Sequence, residues 1–146
     1  SSSGCQKWSV QTQKFIASQV TISHVYIFYR VVASVCGDHR NYFPLVPVDC
    51  DYDVLKSLKN TVTLFKSGGK KVTVILQVPE LPREAASVLL RSNLTTKNQV
   101  VRGVTREWWD KRSALIFSRI KYELGFYANV FDPTDIFLQF CRLFFE

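Results

Sequence analysis

The stretch Thr105-Arg-Glu-Trp-Trp-Asp-Lys-Arg-Ser-Ala-Leu-Ile-Phe-Ser-Arg-Ile-Lys-Tyr-Glu-Leu-Gly125 decides the fold. As a helix it has a threonine in the N-cap position and a glycine just past its end. As extended chain it has a period of two. Ala114, Ile116, Ser118, Ile120, Tyr122 and Leu124 alternate with Leu115, Phe117, Arg119, Lys121 and Glu123, and the second set turns fully charged, as on a half-exposed strand. The alternation favours two strands, over 99–109 and 114–124, joined by a turn at Asp110-Lys-Arg-Ser113. A single helix over the same residues is the alternative.

Working towards the N-terminus, Arg83 to Ser92 reads as a helix with Ala85, Val88 and Leu89 on one side, behind the breaker Pro79-Glu-Leu-Pro82. Thr61 to Phe65 and Lys71 to Val78 flank Lys66-Ser-Gly-Gly-Lys70, a hairpin signal. Asp51 to Lys59 is ambiguous. Tyr42 to Asp49 is extended, and Pro44 and Pro47 assign it to an edge. Gly37 to Asn41 is a turn. Val20 to Cys36 is rich in β-branched and aromatic residues. Val25, Ile27, Tyr29, Val31, Ala33 and Val35 share one face, and Tyr26, Phe28, Arg30, Val32 and Ser34 the other. This predicts one long, bent strand. A short helix over Lys7 to Gln19 precedes it.

Towards the C-terminus, Asp132 suits an N-cap, Pro133 the first helical position and Asp135 the capping-box carboxylate. The helix so opened carries Ile136, Phe137, Phe140, Leu143 and Phe144, apolar over more than one stripe. Such a helix is either buried in its own domain or covered by a partner. The element order predicts a mainly β protein: a five-stranded OB-fold barrel with a short N-terminal helix, a helix between strands 3 and 4, and a C-terminal helix. The expected divisions are an N-terminal extension at 1–19, the barrel at 20–131 and a partner-binding helix at 132–146.

Composition sets outer bounds. At 146 residues and 47% hydrophobic, the chain suits one globular domain. His24 and Arg30 interrupt its longest apolar run, so no membrane span and no membrane partner is expected. No secretory leader is read at its start. Cys5, Cys36, Cys50 and Cys141 lack zinc-site spacing, and without a leader they are expected as buried reduced thiols. Asn93-Leu94-Thr95 matches a glycosylation sequon and is discounted as a chance tripeptide. No cofactor and no metal site is expected: Asp49, Asp51 and Asp53 read as a solvated acidic run.

Enzyme motifs are absent from the sequence. His24 and His39 are the two histidines, and no GxSxG, HExxH or phosphate loop occurs. The chain is therefore expected to be non-catalytic. The charge of +7 and a pI near 9.4 favour an anionic partner. Single-strand binding requires a basic groove with aromatic faces. Tyr26, Phe28 and Arg30 on the first strand, Lys70 and Lys71 on the hairpin, Trp108, Lys111 and Arg112 at the last turn, and Arg119 and Lys121 on the last strand are the candidates. One of the adjacent tryptophans, Trp108 and Trp109, is expected to turn into the core.

Three patches carry a resemblance: Ile22-Ser-His-Val25 continuing through Val31-Val32 and Tyr42 to Val48-Asp49; Val101-Arg102-Gly103; and the final strand leading into Asp132-Pro133 and the apolar helix. With the predicted layout, they resemble the N-terminal OB domain of the middle subunit of the telomere-capping CST complex, which is similar to the middle subunit of replication protein A. The resemblance implies a non-catalytic nuclear subunit at chromosome ends. It would pair with a small OB-fold protein through Ile136, Phe137, Phe140, Leu143 and Phe144 and share in single-stranded telomeric DNA binding. The alternatives are an interaction module without nucleic acid, and a secreted or viral β-rich protein whose cysteines form disulfides.

Overall fold

A computed structural model describes residues 2–36, 50–79 and 105–137. Among them the order is α1 (Ser2–Ser18), β1 (His24–Phe28), α2 (Val31–Cys36), α3 (Asp53–Ser67), β2 (Lys71–Ile75), α4 (Arg106–Leu124) and β3 (Asn129–Phe131). The strands form one open sheet in the order β1-β2-β3, parallel throughout. The register sets Val25 beside Val72, and Ile27 beside Val74 beside Val130. Those side chains share the face that packs on the helices. The helical fold with three parallel strands corrects the expected five-stranded barrel.

The long first strand stops at Phe28. Beyond it, Val31, Val32, Val35 and Cys36 are buried, the spacing of a helix face, and Ser34 N–H donates to the Arg30 carbonyl. Their β-branched side chains lower helix propensity slightly. Burial of four neighbouring apolar groups, about 1.5–3 kcal/mol for each large one, outweighs that. The buried Gln77, just past the end of β2, adds a constraint: its Oε1 accepts the Val32 N–H at 3.0 Å.

The expected hairpin is a helix and its cap. In α3, Leu55, Leu58, Val62 and Phe65 are buried at helical spacing. Thr61 and Thr63, β-branched residues that suggested a strand, donate their hydroxyls to the Ser57 and Lys59 carbonyls one turn back. Gly68 N–H donates to Leu64 O, and Gly69 takes a φ of 75°. A Cβ on Gly68 would lie 2.5 Å from the Ala17 carbonyl oxygen. The glycine pair ends a helix and admits the end of α1; it does not turn a hairpin. Of the expected strands on either side, only the one at 71–78 forms, and only over Lys71–Ile75, as β2.

The two strands expected over 99–109 and 114–124 are corrected likewise: Arg106–Leu124 is one helix. Thr105 Oγ1 accepts the Trp108 N–H at 3.2 Å, and Gly125 N–H closes on the Lys121 carbonyl. Trp109, Arg112, Ser113, Ile116, Phe117, Ile120 and Leu124 are buried. Ion pairs four residues apart, Arg106–Asp110, Glu107–Lys111 and Arg119–Glu123, lie along the other side. The extended segment at 42–49 and the helix at 83–92 lie outside the described residues.

Cys36 and Cys50 form a disulfide, which corrects the expectation of reduced thiols; Cys5 is free and exposed. The bond ties the end of α2 to the approach to α3, beside the hydrogen bond from Asp51 N–H to the Val35 carbonyl at 2.7 Å. Replacing Cys36 and Cys50 together with alanine should lower the unfolding free energy in urea by about 3 kcal/mol, the loop-closure value for a span of roughly fifteen residues. The unmodified protein, denatured without reductant, should titrate no more than two thiols, four cysteines less the pair.

Candidate functional site at the carboxyl edge of the sheet

Open parallel sheets take ligands outside the carboxyl ends of their strands. Here that edge is formed by the residues following Phe28, Ile75 and Phe131. Leu76 N–H donates to the Phe131 carbonyl at 2.8 Å, so the pairing of β2 with β3 continues one residue past the strand. Gln77, Pro79 and Thr134 are buried there. α4 brings its first turns to the same edge. Trp109, with no exposed surface, donates its Nε1–H to Thr134 Oγ1 at 3.2 Å and meets Phe117 edge-on at 5.8 Å. A fully buried indole is worth on the order of 3–5 kcal/mol, which makes it the anchor of this edge.

Asp132 accepts the Thr134 N–H at 3.1 Å and the Lys121 ammonium at 3.2 Å. Burial works against ionisation of its carboxyl. Hydrogen bonds from the Thr134 hydroxyl and backbone N–H, together with Lys121, outweigh that burial and hold the group below its ordinary value. Residues 134–137 are helical, so Asp132 caps a helix start as expected. Asp135 does not close a capping box; it pairs with Arg106 of α4.

The other expected site residues are scattered. Tyr26 and Phe28, 65% and 56% exposed, lie on the sheet face away from the helical core. Arg30 is exposed just before α2. Trp108 is half-buried against Arg112, which has no exposed surface and sits 5.8 Å from that ring. Lys111 pairs with Glu107; Arg119 pairs with Glu123 and lies 3.9 Å over the Tyr52 ring. Ile136 and Phe137 are exposed, while Phe140, Leu143 and Phe144 lie outside the described residues. Lys70, Lys71 and Lys121 do meet, at the opposite, amino edge. With His24, Lys66 and Phe126 they line a groove of about 760 Å³.

His24 is the described histidine, and it is not at the carboxyl edge. Its Nε2 shares a hydrogen bond with Thr73 Oγ1 at 3.0 Å, and its ring stacks on Tyr26 at 4.5 Å. Ser113, buried on α4, donates its hydroxyl to the Trp109 carbonyl. The described residues therefore show no nucleophile–histidine–acid set. Nor do they hold any group of three or more histidine, cysteine or carboxylate side chains able to bind a metal ion. Asp51 of the acidic run accepts the Asp53 N–H at the start of α3, and Asp49 lies outside the described residues.

These features define an α/β protein with an open parallel sheet. More particularly, the family model of the SGNH domain (fused to AT3 domains) matches residues 1–144, and the chain belongs to that family. No curated protein and no solved structure matches it. The family is hydrolase-like, of the esterase/lipase superfamily, and this corrects the non-catalytic reading and the resemblance to a telomere-capping OB domain. The telomere-capping, DNA-binding function implied by that resemblance is corrected with it.

The Asp132 carboxylate supplies a test. Because its folded-state value is depressed, its contribution is present above the ordinary carboxylate range, near pH 4, and is lost as pH falls through the lower folded value. Asp132→Asn, which keeps a capping oxygen, should lower stability by about 0.5–1 kcal/mol near neutral pH. The gap to the unmodified protein, read from thermal unfolding across pH, should close on acidification; a gap independent of pH would contradict the assignment.

Proposed function

We propose that this domain acts on acyl esters, as a hydrolase of the esterase/lipase kind or in an acyl-transfer system, with the ester approaching the carboxyl edge of the sheet. The observation that carries this reading is the family match along residues 1–144. The parallel sheet supports the location, since its strands end beside Gln77, Asp132 and Thr134. His24 has no part in it: it heads β1 at the amino edge and is already bonded to Thr73. The Cys36–Cys50 bond supports work in an oxidising compartment rather than at chromosome ends.

The protein carrying this domain should release p-nitrophenol from p-nitrophenyl acetate above the background rate. His24→Ala should keep that rate within about twofold, whereas loss of a general base costs about 10²–10⁴-fold. No turnover, together with no labelling by a fluorophosphonate probe, would overturn the ester reading. A collapse of activity in folded His24→Ala would overturn the location at the carboxyl edge.

A further inference from the structure

The amino edge of the sheet carries an arrangement that ester chemistry at the opposite edge leaves unexplained. The three turns leading into the strands, at 19–23, 68–70 and 125–128, gather there. Lys71 N–H donates to the Ser23 carbonyl, the Lys70 ammonium reaches the Gln19 carbonyl, and the Lys66 ammonium donates to the Phe126 carbonyl at 3.2 Å. Lys66, Lys70, Lys71 and Lys121 line the shared groove, and no acidic side chain is among its lining residues.

Two of these lysines have a structural use. Lys66 and Lys121 stand in the last turns of α3 and α4, where cations offset the helix dipole. Lys71 has no such use. It is exposed at the head of the central strand and makes no ion pair with a described residue. An ammonium also has three N–H donors, so Lys66 keeps donors beyond the one given to Phe126. Lys121 is paired with Asp132 at 3.2 Å, so the positive charge the groove retains rests on Lys66, Lys70 and Lys71.

Among the described residues, the three most exposed large apolar side chains stand at the same edge. Val20, 93% exposed, follows the carbonyl that Lys70 holds. Phe126, 86% exposed, lines the groove, and Tyr122, 82% exposed, is in the last turn of α4. An apolar side chain on each of two neighbouring turns, around a cluster of lysines, matches a surface with negative headgroups over an apolar interior. A soluble anion would use the lysines and leave Val20 and Phe126 in water.

We infer that the amino edge is a docking surface for an anionic lipid membrane, with Lys71 and its neighbouring lysines on the headgroups and Val20 and Phe126 entering the interface. The carboxyl edge then faces away from the bilayer. No helix among the described residues is long and apolar enough to cross a membrane.

The test is flotation of the protein with phosphatidylcholine vesicles containing about a third phosphatidylserine, against vesicles of phosphatidylcholine alone. Binding should require phosphatidylserine and weaken as salt rises. It should fall roughly fivefold in Lys71→Ala and fall again in Phe126→Ser, with hydrolysis of soluble p-nitrophenyl acetate unchanged in both. That last readout separates this inference from the ester reading. No flotation with either vesicle would overturn it. So would flotation unaffected by both substitutions, or binding of inorganic pyrophosphate that survives Phe126→Ser without any vesicle binding.

Discussion

Parallel pairing of β2 on both sides is the constraint from which the rest of the described structure follows. Lys71–Ile75 bonds to β1 along one edge and to β3 along the other, in the same direction each time. Parallel neighbours cannot be joined by a tight turn, so the chain must travel back before each new strand. α2 and α3 lie on the path from β1 to β2, and α4 on the path from β2 to β3. Right-handed crossovers in one direction set these helices on a single face. Val25, Ile27, Val72, Val74 and Val130 form the floor of the core they build with Val62, Ile116 and Ile120.

Directional contacts then place the edges of that core. Gln77 holds the start of α2 through the Val32 N–H, and Trp109 holds the start of the last helical turn through Thr134. Both are buried bonds, and each would leave an unsatisfied polar group behind if its partner were lost. They fix the carboxyl ends of the strands, where an ester would meet the domain. The opposite end is fastened by carbonyl-to-lysine bonds at Gln19 and Phe126. The two edges thus differ in chemistry: buried neutral hydrogen bonds and paired charges above, an excess of ammonium groups and bare apolar side chains below.

Only single elements of this fold were legible in the sequence, and each misreading has its own physical cause. Within the strand expected over Lys71 to Val78, Lys71–Ile75 is a strand, and the N-terminal helix is present, over Ser2–Ser18. Val31 to Cys36 is apolar at nearly every position, so its period is invisible: a strand and a buried helix read alike. In α4 the alternation of Arg119, Lys121 and Glu123 with Ile120 and Leu124 coincided with a helical stripe. Thr105 and Gly125, the capping residues at its two ends, were the better signal. The Gly68-Gly69 pair fits either a hairpin or a helix end. Only the burial of Leu55, Leu58 and Val62 before it decides for the helix. Lysines expected on two separate elements, Lys70 and Lys71 on a hairpin and Lys121 on the last strand, came together at the edge where the parallel strands begin, which no local pattern reveals.

The account stands on the direction of the strands, and nuclear Overhauser contacts between backbone protons measure it directly. Parallel pairing predicts amide-to-Hα contacts linking Val25 with Val72 and Val74 with Val130, in the register of the sheet. Close Hα-to-Hα contacts between the same strands would mean antiparallel pairing. They would contradict the open α/β sheet, and with it the placing of both edges.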